Sequence, residues 1–117
     1  MTSIRPAVGA AFAATGDVLI IGAGAAGLVA ALAAREAGAE VVIVEREAVP
    51  SGSTALSAGL IPAAGTRFQS EAGIDDSPAL FARDILDKAQ QEPDAGMVAR
   101  MTSHVGTVLE WLADRHG

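Results

Sequence analysis

The sequence contains no cysteine and no tyrosine, one tryptophan and three phenylalanines. Without cysteine there is no disulfide, no thiolate metal site and no thiol nucleophile, and the redox compartment is left unconstrained. Basic residues are scarce, with 8 Lys and Arg against 14 Asp and Glu and a formal net charge of −6. A phosphate backbone needs clustered Lys and Arg, so this balance argues against a nucleic acid partner. No apolar run approaches the ~20 residues that cross a bilayer, so no membrane span is expected. The opening stretch, MTSIRPAVGAAFAATG, holds one Arg and a short alanine-rich run without a Leu-rich core. That is a poor export signal. Residues 1–16 are read as an irregular lead-in, and the protein is expected in the cytoplasm. Few aromatics and abundant Ala and Gly suit closely packed α/β layers, and 117 residues allow at most one domain.

What is present is organised around VLIIGAGAAG, residues 18–27. An apolar β-type run leads into Gly22-x-Gly24-x-x-Gly27, and an alanine-rich helix follows at once. Gly22 permits the tight turn out of the strand, Gly24 a close approach of backbone to a pyrophosphate, and Gly27 close packing of helix on strand. The helix start near Ala25 and Ala26 offers free N–H groups and the positive end of the macrodipole to an anion. Three glycines at this spacing are a weak signal alone. Here the strand before them, the helix after them and the run Val41-Val42-Ile43-Val44 ending in Glu45 supply the context. Glu45 stands about twenty residues beyond the glycines, where a carboxylate binds a ribose hydroxyl. The plainer alternative is a glycine turn that only eases packing.

In chain order, Asp17 to Ile21 reads as a strand whose continuous apolar run suits burial on both faces. Ala25 to Ala37 reads as a helix stopped by Gly38, and Glu40 to Val44 as a second, parallel strand reached by a right-handed crossover. Residues 46–76 show no clear periodicity, yet Leu56, Leu60, Ile61 and Phe68 are too apolar for a solvated linker. Ser51 to Thr54 can open a short helix, capped by a hydroxyl. Ser77-Pro78 starts a helix running to about Gln91, with an Asp84–Lys88 pair outside. Asp94 caps a last helix to about His116, whose apolar stripe is Met97, Met101, Val105, Val108 and Leu112.

The string GAGAAGLVAALAAREAGAEVVIVERE, followed by SGSTALSAGLIPAAGT, resembles the N-terminal flavin-binding segment of the fumarate reductase/succinate dehydrogenase flavoprotein family. Within it the soluble branch of flavocytochrome c fumarate reductases, urocanate reductases and ketosteroid dehydrogenases is the most similar. SPALFARDIL and the helix ending EWLADRHG fit as well. The resemblance implies a partial Rossmann-like FAD-binding α/β domain over residues 17–117, with a strand–helix–strand nucleus, a long loop and two helices. It implies that Gly22, Gly24, Ala25, Ala26 and Gly27 face the FAD pyrophosphate, that Glu45 holds the adenosine ribose and that Arg46 lies on the adenine side. Ser53 and Thr54 would contact the phosphates and ribityl chain, and the backbone of Gly59 and Leu60 would approach the isoalloxazine. Leu60 replaces the family's second glycine, and Ser51-Gly52 its Gly-Gly. No His occurs between Gly52 and Gly65, so noncovalent FAD is expected. The family moves a hydride between flavin N5 and a C–C bond next to a carbonyl or carboxylate. The residues that act on a carboxylate or ketone substrate would lie beyond position 117.

Two other readings remain. Glu45 also permits an NAD-binding domain, although residues 51–65 then have no purpose. Alternatively the chain is a non-catalytic fragment, at most an interaction module. Two strands and three helices cannot close a doubly wound sheet, and the bare edge of the first strand invites self-association. Neither His104 nor His116 is read as a metal ligand or catalytic group. Arg67 is read as structural, with a substrate-carboxylate role as the lesser alternative.

Overall fold

The computed structural model describes residues 8–12 and 14–117. Of the lead-in, residues 8–12 and 14–16 carry no helix or strand, and the remainder lies outside the described residues. The chain divides into two compact units, Met1–Gly59 and Leu60–Gly117, and each is described by itself.

The first unit is a strand–helix–strand nucleus. β1 (Val18–Ile21) and β2 (Val41–Val44) are short runs of β-branched and leucine residues, and they pair in parallel with Val18 opposite Val41 and Ile21 opposite Val44. Both strands start one residue later than the sequence predicts. The residues before them form a clasp instead: Asp17 and Val18 N–H donate to Glu40 O, and Glu40 N–H donates to the Asp17 carboxylate at 2.9 Å. α1 (Ala25–Glu36) packs across both strands. Its end is set by Gly38 at φ +87°, with Gly38 N–H bonded to Arg35 O and Ala39 N–H to Ala34 O. That is the left-handed termination that glycine makes easy.

Burial on both sheet faces is not what the structure has. Side chains alternate along a strand, and α1 covers the face that carries Ile20. The other face is bare: Ile21 is 84% and Leu19 62% exposed. Among the described residues of this unit, α1 is the one helix that packs broadly on the sheet. The loop after β2 contains α2 (Ser53–Leu56), but no hydroxyl caps it. Its N-cap is Gly52, at φ +82° and ψ −162°, a backbone region essentially reserved for glycine.

The second unit contains a helix the sequence reading did not find. α3 (Arg67–Glu71) is held by a reciprocal capping box between Thr66 and Gln69. α4 (Pro78–Lys88) starts as expected, with Ser77 Oγ accepting from Leu80 N–H at 3.1 Å and Pro78 in the first turn. It stops three residues short of Gln91, because Gln90 and Gln91 take positive φ values of 53° and 63° and end the helix without a glycine. The expected Asp84–Lys88 pair is not among the ion pairs of the described residues.

α5 (Ala95–His116) is capped by Asp94, whose Oδ1 accepts from Met97 N–H at 2.7 Å, and it packs on α4. Its buried line is Val98, Thr102 and Gly106, not the expected stripe. Met97 is 72% exposed, and Met101 and Val108 are also exposed, while Val105 and Leu112 are half-buried. The cause is the close approach of α5 to the chain before α3. A Cβ on Gly106 would lie 2.9 Å from Ala64 O and 3.5 Å from Thr66 Cγ2. Only small residues permit that distance, so the small side of α5 turns inward.

Candidate functional site

The three glycines of the turn are needed for three different reasons. Gly22 has φ +102°, which L side chains rarely adopt, and its N–H is tied to Val44 O at 2.8 Å. A Cβ on Gly27 would overlap Gly22 O and lie 3.2 Å from Ile20 Cγ2, so α1 sits on the turn with no room for a side chain. Gly24 is the N-cap of α1, at φ −78° and ψ 177°, a conformation open to any residue. A Cβ there would meet only Thr54 Oγ1, at 3.7 Å. The fold of the free chain therefore does not require glycine at 24. An open backbone face at a helix N-terminus is what a pyrophosphate needs.

The backbone N–H groups of the turn fall into two sets. Ala23 N–H donates to Glu45 Oε2 at 2.7 Å, and Ala25 N–H to Thr54 Oγ1 at 3.0 Å. Those of Gly24, Ala26 and Gly27 have no acceptor among the described residues. Three free donors thus stand at the positive end of a twelve-residue helix. The structure brings together Gly22, Gly24, Ala25, Ala26, Gly27, Glu45 and Thr54.

Glu45 is held by three backbone N–H groups. Its carboxylate accepts from Ala23, from Arg46 N–H at 2.7 Å and from Glu47 N–H at 3.1 Å. The Ala23 bond first, then the Glu47 bond, with the Arg46 bond and charge behind, outweigh burial and hold this carboxyl below the usual glutamate range. Arg46 itself is exposed, and its Nε bonds to Glu47 at 2.9 Å. Ser53 is exposed next to Thr54. Gly59 has φ +75°, and its N–H donates to Ser57 Oγ. Leu60 opens the second unit. Its φ is not positive, so the missing glycine costs no backbone strain there. Its side chain is 80% exposed and lines an apolar groove of about 510 Å³ with Ile61, Pro62, Phe81, Ile85, Met101 and Val105.

Ala23 was not singled out from sequence, although its N–H is the partner of Glu45. The signal available was its place between two glycines directly after a strand. Arg67 is structural: its guanidinium grips Asp114 bidentately, its N–H donates to Glu110 at 2.6 Å, and it stacks 4.6 Å from the Phe68 ring centroid. The Asp114 bond raises the Arg67 pKa and lowers that of Asp114. Among the described residues no group of three His, Asp or Glu side chains is placed to hold a metal. None of their helices is long and apolar enough to cross a membrane.

Residues 17–117 match the family described as FAD binding domain. The chain is 38% identical over 99 residues to the NADH:fumarate oxidoreductase of Klebsiella pneumoniae (strain 342), covering 85% of this chain and 11% of that protein. It is 36% identical over 96 residues to the urocanate reductase of Eggerthella lenta, covering 82% of this chain and 16% of that protein. The open conformation of a flavocytochrome c3 fumarate reductase superposes with a TM-score of 0.79 at 33% identity, over 92% of this chain and 19% of that one. The chain thus spans less than a fifth of the length of these relatives.

Proposed function

Because the chain belongs to the FAD binding domain family of fumarate reductase-like flavoproteins, its cofactor is FAD, and we propose that the glycine turn holds the pyrophosphate of that cofactor. The observation that carries this reading is the set of free N–H groups at Gly24, Ala26 and Gly27 beside a backbone face that the fold leaves open without needing it. Glu45 accepts a ribose hydroxyl and Arg46 flanks the adenine. Thr54, whose hydroxyl already accepts from Ala25 N–H, has its own O–H proton left to donate to a phosphate oxygen. Ser53 supports the ribityl side, and the backbone at Gly59 and Leu60 approaches the flavin ring. No His lies in the 52–65 stretch to form a covalent bond, so FAD is held noncovalently.

Bound FAD supplies hydride acceptance and donation at N5, here toward a C–C bond next to a carbonyl or carboxylate. The residues of this chain bind and orient the cofactor, and none of them is assigned to the substrate's proton. The 117 residues alone are read as cofactor-binding and inactive. The outer edges of the two strands, unpaired among the described residues, and the bare sheet face of Leu19 and Ile21 support self-association of the isolated chain. The test is titration of the chain with FAD, and separately with NAD, by fluorescence quenching and calorimetry. FAD is expected to bind, and Gly24→Val to lose at least about tenfold in affinity. Preference for NAD would sink the proposal.

A further inference from the structure

The bond between Glu45 and Ala23 has no place in a ribose-binding role. We infer that Glu45 is a positioning residue: its carboxylate ties the glycine turn to the end of β2 in the free chain and so fixes the direction of the neighbouring N–H groups that receive pyrophosphate. The inference rests on the reading of this turn as the dinucleotide site.

Ala23 stands between two glycines, and its own side chain is a methyl group. The turn therefore has little side-chain restraint of its own. Two consecutive N–H groups fasten it. Gly22 N–H is held by the β2 backbone at Val44 O, and Ala23 N–H by the side chain of the next residue, Glu45. Ala23 is only 6% exposed, so its N–H, robbed of its acceptor, would be poorly placed to recruit water. The carboxylate is anchored in turn by Arg46 and Glu47 N–H on Oε1. A carboxylate has about four lone-pair sites, and these bonds use three of them. One site on Oε2 stays open, so a single ribose hydroxyl is accepted without breaking the tie. Arg46 is the charged group that acts on this carboxylate.

Positioning and charge make opposite predictions, which gives the test its force. Removing a negative charge beside an anion site strengthens anion binding. Loss of the tie weakens it. The ¹⁵N-labelled 117-residue chain, Glu45→Gln and Glu45→Ala are titrated with inorganic pyrophosphate, which has no ribose, and with FAD. The wild-type Ala23 amide shift is followed from neutral to acid pH. Glu45→Gln can keep its one oxygen on Ala23 but then turns its NH2 toward the Arg46 and Glu47 N–H donors, so it loses the anchor and the charge together and is expected to bind pyrophosphate more tightly than Glu45→Ala. Glu45→Ala is expected to bind it about tenfold more weakly than wild type. The Ala23 amide is expected to titrate with the carboxylate in wild type and to be insensitive in both variants. Equal or tighter pyrophosphate binding by Glu45→Ala, with FAD alone weakened, overturns the inference and leaves Glu45 acting through ribose. An Ala23 amide that ignores the carboxylate in wild type overturns it as well. If Glu45→Ala fails to fold by circular dichroism, Glu45→Asp, which shortens the reach to Ala23 and keeps the charge, takes its place with the same expected weakening. Failure of wild type to bind either ligand is the distinct result that overturns the dinucleotide reading, and with it any positioning role.

Discussion

Alanine at position 27 and alanine at position 24 are the same chemical change three residues apart, and the structure gives them different consequences. At 27 the new Cβ overlaps Gly22 O and stands 3.2 Å from both Gly22 C and Ile20 Cγ2. The first obstacle is backbone in a turn tied to β2, so no side chain can swing aside. α1 must lift by on the order of 1 Å, which forfeits a quarter to a half of each affected dispersion contact. Overpacking of this kind costs about 1–3 kcal/mol, and the better helix propensity of alanine returns up to about 1 kcal/mol. The net expectation for Gly27→Ala is a loss of about 1–2 kcal/mol together with weaker FAD binding. At 24 the Cβ meets one atom at an ordinary 3.7 Å, and the backbone already suits an L residue. Gly24→Ala is expected to cost less than about 1 kcal/mol, the size of an N-cap change, while its methyl group would occupy the face proposed for pyrophosphate. Urea unfolding followed by circular dichroism gives the stabilities, and FAD titration the affinities. If Gly24→Ala unfolds the chain more than Gly27→Ala, or binds FAD like wild type, the assignment of fold to one glycine and ligand to the other is wrong.

Further expectations follow from single residues. Gln90→Gly relieves a non-glycine residue at φ 53° and should stabilise the chain by about 1 kcal/mol in urea unfolding, since a left-handed residue costs about 1–2 kcal/mol. Gly52→Ala forces a side chain into the region at φ +82°, ψ −162°, and should cost about 1–3 kcal/mol and displace Thr54; loss of the Ala25 amide's protection against hydrogen exchange would report the displacement. The Glu45 and Asp114 carboxyls both have lowered pKa values, so the unfolded chain binds more protons than the folded one as the solution turns acid. Their contribution is fully present above the ordinary carboxylate values and is lost as pH falls through the lowered folded ones. Stability measured between about pH 6 and 2 should therefore fall less steeply in Glu45→Gln and in Asp114→Asn than in wild type.

Where the backbone itself is the constraint, the sequence is legible. Gly22 must turn, Gly27 must let α1 close on the turn and Gly38 must end α1, and each requirement leaves a glycine in the chain. The same logic explains the misses. Gln90 and Gln91 end α4 in the left-handed region that glycine usually fills, so no residue type marks the stop. α3 is announced only by Thr66 and Gln69, a capping box without an apolar run behind it. The inner face of α5 departs from the apolar stripe because side-chain size, not apolarity, decides it. At an approach as close as Gly106 to Ala64 O, the residue turned inward is the one that occupies least space.

The candidate site divides along the same line, between side chains that accept and backbone that donates. Glu45 and Thr54 stand out as acceptors because carboxylate and hydroxyl are particular to a few residue types. Their partners, Ala23 and Ala25 N–H, are groups that almost every residue carries, so only the folded turn selects them. The donors left free at Gly24, Ala26 and Gly27 are equally anonymous in sequence. What distinguishes them is that Glu45 and Thr54 have satisfied the N–H groups on either side of Gly24. A substitution at either acceptor therefore changes which backbone donors are available to the proposed phosphate, even though the donors themselves are untouched. Binding data on Glu45 and Thr54 variants report on Ala23 and Ala25 as much as on the residues replaced.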